Sequence, residues 1–190
     1  MYYGNLPKPA LPVITMNGNP IPAPQPTGAL TGWQLIIIDA SKDYTNPGSI
    51  LFNSYISLYG GQTNSWMNTY QYMYSRMCWD VFNSGNIDQQ LLIVVSYGLD
   101  NNMPPTNDGY EMLLGAGAGE QLQYWQTHCD PGSQVGNVNS WVSFPANYIL
   151  VGFSALTYNQ GNELYQSGGQ GPVTSKLSVT LQNNVAAPTK

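Results

Sequence analysis

Leu91-Leu-Ile-Val-Val-Ser-Tyr-Gly98 decides how the rest of the chain is read. Five consecutive apolar residues, three of them β-branched, lie between Gln89-Gln90 and Tyr97-Gly98. The run is too short for a typical helix and does not alternate, which is the pattern of a strand buried on both faces. Such a strand needs cover on each side, and amphipathic segments flank it in sequence. The polar stretch Gly98-Leu-Asp-Asn-Asn-Met-Pro-Pro105 then leaves the strand as an open loop. A rigid strand that ends in a polar loop is a common support for a binding site.

Working outward, Trp33-Gln-Leu-Ile-Ile-Ile-Asp39 reads as a first buried strand and Ile50–Ser57 as its hairpin partner, with Asn46-Pro-Gly48 in the turn and Gly60-Gly61 closing the pair. Between Thr63 and Phe82, Trp66, Tyr70, Met73, Met77 and Val81 recur at helical spacing, which predicts one core-facing stripe of a helix. Thr106-Asn-Asp108 offers N-caps for a helix through Leu114, and Gln121–His128 reads as a short third helix. The run Gly115-Ala-Gly-Ala-Gly119 follows a helix and has no Lys-Ser/Thr after it, so it is not a phosphate loop. Trp141–Phe144 and Tyr148–Leu156 read as two strands with a tight connection at Pro145-Ala-Asn147. Val173–Leu181 alternates apolar and polar residues, as a half-exposed strand does.

The fold expected is therefore α+β: a compact sandwich-like domain of about six strands with two to three packed helices. An extended Pro-rich arm over residues 1–29 precedes it, because Pro20, Pro22, Pro24 and Pro26 alternate and force a polyproline-like backbone. The domain itself spans 30–166, and residues 167–190 supply a Gly-rich hinge, a last strand and a tail. The arm is read as lying along its own domain or along a neighbouring subunit.

Composition excludes several functions. Charged residues are only 8% of the chain and the formal net charge is −5, with Arg76 and four lysines as the cations. No basic patch exists to displace counterions from phosphates, so nucleic acid is not an expected partner. No apolar run approaches the ~20 residues that span a bilayer, and no membrane insertion is expected. Met1-Tyr-Tyr-Gly-Asn5 lacks the basic and apolar regions of a secretory signal. Cys78 and Cys129 are too few for a disulfide framework, and no Asn-x-Ser/Thr sequon occurs.

No cofactor motif is present. His128 stands beside Cys129, but no CxxC, HxH or HExxH spacing accompanies them, so no metal is expected. The single histidine follows no nucleophile elbow, and no pair of acids stands out, so catalysis is not predicted. His128 fits the C-terminus of a helix, where the dipole favours it. What remains is a surface rich in Tyr, Trp, Asn, Gln and Gly. That composition suits sugar binding, by an apolar platform and a few placed polar groups, and equally suits packing into an assembly.

In series, Gly32-x-Gln-Leu-Ile-Ile-Ile-Asp39, Phe52–Tyr55, Leu91–Gly98, Leu113-Leu-Gly115, and Trp141 before Tyr148-Ile-Leu-Val-Gly152 are similar to the motifs of the ILEI/PANDER domain. That domain also occurs in the stem of protein O-linked-mannose N-acetylglucosaminyltransferase. The resemblance covers about residues 30 to 166 and implies a compact α+β domain without catalysis and, as in the transferase stem, a glycan-binding role. Where the family often has an Arg-Asp pair, this chain has Asn139-Ser140, so one basic sugar contact is missing. A surviving sugar site would use Asp100, Asn101 and Asn102 of the loop after the central strand, with Trp141 nearby. Two functions follow as expectations: a non-catalytic glycan-binding module on a surface or virion, or a structural decoration subunit whose residues 1–28 dock on a neighbour.

Overall fold

The computed structural model describes residues 11–22, 32–42, 47–57, 81, 90–100, 104–105, 108–128, 145–154, 156–167 and 174–180. These form an antiparallel sheet with two helices on one face and a small hairpin on the other. The hairpin pairs β1 (Thr15–Met16) with β2 (Asn19–Pro20). The main sheet contains β3 (Gly32–Asp39), β4 (Ile50–Ser57), β5 (Gln90–Tyr97), β6 (Leu99–Asp100), β7 (Pro145–Phe153) and β8 (Asn162–Ser167). From one edge to the other it runs β4, β3, β5 continued by β6, β7, β8. The helices are α1 (Asp108–Gly115) and α2 (Glu120–His128).

The apolar run at 91–95 is the middle strand, as its pattern predicts. β5 is laddered to β3 on one side and β7 on the other. Period-two geometry sends its side chains to two different cores. Leu92 and Val94 join Trp33, Leu35, Ile37, Tyr148 and Leu150 under the helices, while Leu91 joins Ile36 and Ile38 on the opposite face. The continuous apolar composition of β3 and β5 follows from both faces being covered.

The Pro-rich arm is corrected over part of its length. Residues 11–22 are not a featureless extended strand. Asn17 (φ 50°) and Gly18 (φ 78°) make a two-residue reversal with both central residues left-handed, the geometry of a primed hairpin turn. Ile14, Met16 and Ile21 pack against Ile36, Ile38 and Leu91, and the Ile21 amide donates to the Ile14 carbonyl at 2.8 Å. This stretch covers its own domain. The alternating prolines beyond Pro22 and residues 1–10 lie outside the described residues.

Two strand expectations also change. Pro145-Ala-Asn147 is not a connection but the start of β7, which runs without a break to Phe153. Proline is tolerated there because it opens the strand. Residues 174–180 alternate in exposure as predicted but join no ladder among the described residues. They are tied instead through Ser175, which accepts from Asn147 Nδ2 at 3.3 Å and donates to Gln166 Oε1 at 2.9 Å. The strand that does lie beside β7 is β8, from a stretch too polar for the apolar pattern to reveal. Of the predicted helix over 63–82, only Val81 is described; it is helical and buried in the helix-side core.

β6 continues β5 after a bulge. Val95 faces Ile149, yet Leu99 faces Ala146, so β5–β6 uses one residue more than β7 over the same length. Gly98 absorbs the kink at φ 60°, and the Ser96 hydroxyl accepts the Tyr148 amide at 2.7 Å where the ladder breaks.

Candidate functional site

Helix α2 is organised by what it buries. Leu122 and Trp125 are fully buried, and the Trp125 ring meets Trp33 at 6.1 Å, Tyr148 at 5.8 Å and Tyr165 at 5.1 Å. This aromatic packing fixes the rotation of the helix. Its start is fixed by Glu163 on β8. Oε1 of Glu163 accepts the amides of Gly119 (2.9 Å) and Gln121 (2.8 Å), and Oε2 accepts the Leu122 amide (3.2 Å) and the Tyr148 hydroxyl (2.7 Å). A carboxylate from another strand thereby does the work of an N-cap and sits at the positive end of the helix dipole.

The connection before α2 explains the glycine run. The Gly117 carbonyl accepts the Gly161 amide at 2.7 Å and the Ala118 carbonyl accepts the Asn159 amide at 3.0 Å. A methyl group on Gly152 would collide with the Ala116 carbonyl oxygen, and Gly117 has φ 92°. The run is a close backbone contact between the α1–α2 corner and the 156–161 turn.

Locking α2 and that turn together leaves one aromatic, amide-rich patch in solvent. Tyr124 is 52% exposed and Tyr158 is 49% exposed, the two most exposed aromatics among the described residues. The Tyr158 hydroxyl donates to Gln123 Oε1 at 2.8 Å, leaving the two Nε2 protons of Gln123 for an outside acceptor. Tyr124 stacks on His128 one turn later, with ring centroids 3.9 Å apart and planes 15° apart. His128 Nδ1 lies 3.0 Å from the Tyr124 carbonyl oxygen and 3.0 Å from Thr127 Oγ1. A proton on Nδ1 donated to that carbonyl leaves Nε2 as an acceptor at the surface. His128 is the last residue of α2, the place its dipole argument predicted.

Partial desolvation, and then the negative charge of Glu120 and Glu163, hold the Tyr158 phenol above its ordinary range. It is a neutral donor at physiological pH. The patch therefore offers two aromatic surfaces, an amide donor pair and an imidazole acceptor, arranged for hydrogen bonding and stacking. Among the described residues no group of three or more metal-ligating side chains occurs.

The site nominated by sequence fares differently. Asp100 ends β6, its backbone paired with Pro145 at the start of β7. Asn101, Asn102 and Trp141 lie outside the described residues. Sequence reasoning passed over Gln123, Tyr124 and Tyr158. For the helical pair a signal existed: with Leu122 and Trp125 inward, residues 123 and 124 must face out.

Comparison with protein-family models, with curated proteins and with solved structures finds no match.

Proposed function

We propose that this chain is a non-catalytic glycan-binding module displayed on an assembly or surface. The observation that carries the reading is the solvent-facing group of Tyr124, Tyr158, Gln123 and His128 on a chain with few charges. Sugars present apolar C–H faces to aromatic rings and hydroxyls to planar amides, so an apolar platform with a few fixed polar groups matches them. The motif resemblance to the ILEI/PANDER domain supports the same class. Asp100, Asn101, Asn102 and Trp141, nominated from the sequence, are the second candidate.

The test is a glycan array with the full chain, followed by titration calorimetry on any hit with Tyr124→Ala, Tyr158→Ala, Asp100→Ala and Trp141→Ala. Binding lost in the tyrosine variants places the ligand on the patch shared by α2 and the 156–161 turn, and binding lost in the other two places it on the loop. An array blank at high protein density removes the reading.

A second reading, a structural or decoration subunit docking on neighbours through its N-terminal arm, is favoured by Val13. This apolar residue of the arm is 85% exposed although the hairpin next to it is packed. Since residues 14–21 cover their own sheet, docking would fall to the residues before them. Unchanged mass by light scattering after removal of residues 1–13 would argue against it.

A further inference from the structure

We propose that Asn17 is a site of spontaneous covalent modification, its deamidation gated by opening of the N-terminal hairpin. Asn17-Gly18 is the one Asn-Gly pair in the 190 residues. Both residues are exposed, at the tip of the β1–β2 turn. Gly18 has no side chain to hinder attack by its own nitrogen, and a methyl group placed on it would meet nothing within 4 Å.

The reaction needs only water. The Gly18 nitrogen attacks Asn17 Cγ as it gives up its proton, and the new N–Cγ bond closes a five-membered succinimide. The Cγ–Nδ2 bond breaks, and Nδ2 takes up the proton and leaves as ammonia. Water then opens the ring. Cleavage at Cγ gives aspartate on the original backbone. Cleavage at the main-chain carbonyl gives isoaspartate, whose backbone runs through Cβ and Cγ.

Ring closure needs the Gly18 nitrogen eclipsed with Cβ about the Cα–C bond of Asn17, and the folded turn forbids that. Asn17 is left-handed at φ 50°, and backbone in that region or in a primed turn has ψ of about +30° to +47°. At a tetrahedral Cα this leaves the Gly18 nitrogen nearly anti to Cβ, on the far side from Cγ. The closed hairpin therefore protects Asn17 and the open one exposes it. Opening is a local event. A ladder of two residues on two is marginal alone, and this one is held by Ile14, Met16 and Ile21 on Ile36, Ile38 and Leu91. Asn53, also followed by a small residue, is the contrast. It sits in the regular part of β4, and its side-chain amide is bonded to Gln34 and to the Pro22 carbonyl.

The two products act differently on the fold. Aspartate still suits a primed turn. Isoaspartate adds a methylene to the backbone of a two-residue turn, and the register that pairs Thr15 with Pro20 and Met16 with Asn19 no longer closes over it. The hairpin then stays off Ile36, Ile38 and Leu91. Opening permits the modification, and its isoaspartyl product fixes the open state.

Peptide mapping of the full chain stored at neutral pH is the test, with isoaspartate told from aspartate by isoaspartyl methyltransferase labelling. The same chain in urea, its hairpin open throughout, sets the upper rate. Asn17 should convert in the folded chain, more slowly than in urea and with an isoaspartyl fraction, while Asn53 stays intact. Ile21→Ala loosens the hairpin and should convert at least about tenfold faster than the parent, because the open population grows with the burial lost. Glu163→Gln weakens the helix side alone and should convert at the parent rate. Circular dichroism establishes that both variants are folded, and Ile14→Ala takes the place of Ile21→Ala if that variant is not. In the isoaspartyl product the Ile21 amide, bonded to the Ile14 carbonyl in the parent, should exchange faster. The proposal is overturned by an Asn17 that stays intact in the folded chain while urea converts it, or by equal rates in the parent and the loosened variant. A rise in Glu163→Gln as large as in Ile21→Ala, or unchanged exchange of the Ile21 amide in the isoaspartyl product, overturns it as well.

Discussion

Glu163 and the buried tyrosines show how much rests on single polar groups in a chain with so few charges. Glu163 satisfies three helix amides and one hydroxyl, and no other described residue is placed to replace it. Glu163→Ala should cost about 2–3 kcal/mol in urea unfolding, since hydrogen bonds to a charged group are worth more than neutral ones. Glu163→Gln, which keeps one acceptor, should recover part of that loss; equal effects of the two substitutions would show that the carboxylate does not cap α2.

The tyrosines act at the other end of the pH scale. Burial raises the phenols of Tyr55, Tyr97 and Tyr148, with the neighbouring Tyr55 adding to Tyr97 and Glu163 adding to Tyr148. A group whose folded pKa lies above its unfolded value contributes stability that is complete below the unfolded value and lost as pH rises beyond it. The unfolded value is about 10. Alkaline unfolding should therefore begin above pH ~10, with the buried phenols ionising only as the chain opens. The Tyr97 and Tyr55 rings meet at 5.0 Å, and neither hydroxyl has a hydrogen-bond partner among the described residues. Tyr97→Phe should consequently be within about 1 kcal/mol of the parent at neutral pH and more resistant to alkali. Phenolate absorbance read against circular dichroism checks this, and smooth ionisation of every tyrosine with the fold intact would contradict it.

Elements were legible to very different degrees. β3, β4 and β5 are plain in the sequence because burial on one or both faces leaves little choice of residue. The helices at 108–115 and 120–128 were readable for the same reason, with Leu113, Leu122 and Trp125 setting their buried sides. β8 was hidden because an edge strand with one side in solvent needs few apolar residues, and Asn162-Glu-Leu-Tyr-Gln-Ser167 supplies only two. The strand read at 173–181 failed for the converse reason: alternation describes exposure, and exposure can alternate without a ladder. In the arm, the density of prolines outweighed Asn17-Gly18, the strongest short hairpin signal in the segment. The patch on α2 was half legible, Tyr124 from the helical wheel but Tyr158 only once the turn was seen docked on the α1–α2 corner. That corner makes a prediction of its own. Gly152→Ala would push β7 from the Ala116 carbonyl, a backbone atom that cannot rotate away, and should destabilise by about 1–3 kcal/mol or more. A surface glycine such as Gly115, with open space where its Cβ would be, should tolerate alanine in the same measurement.

At the scale of the molecule, the sheet has two unequal coverings, and their difference bears on what the N-terminal segment is for. The helix side buries a large aromatic and aliphatic core, whereas the other side is closed in part by Ile14, Met16 and Ile21 from a short hairpin. A two-residue-by-two-residue ladder is not stable alone, so the hairpin exists because its apolar residues are buried on Ile36, Ile38 and Leu91. The dependence is mutual, because without the hairpin the outer faces of β3 and β5 would lose part of their cover. Ile21→Ala removes the most buried of the three contacts and should cost about 2–5 kcal/mol, nearer the lower figure because the site is at the margin of the sheet. Deletion of residues 1–30 goes further: it should lower the unfolding midpoint and cause aggregation through the exposed isoleucines, rather than yield a well-behaved monomer. Deletion of residues 1–10 alone leaves the hairpin in place and should leave the midpoint unchanged. Light scattering and denaturant unfolding on the two truncations separate the roles. If the chain starting at Thr31 is as stable and monodisperse as the full chain, the hairpin is not part of the folded core. If only the shorter truncation is tolerated, the proline-rich segment belongs to the domain from about residue 11 onward, and any reach toward a neighbour is confined to what precedes it.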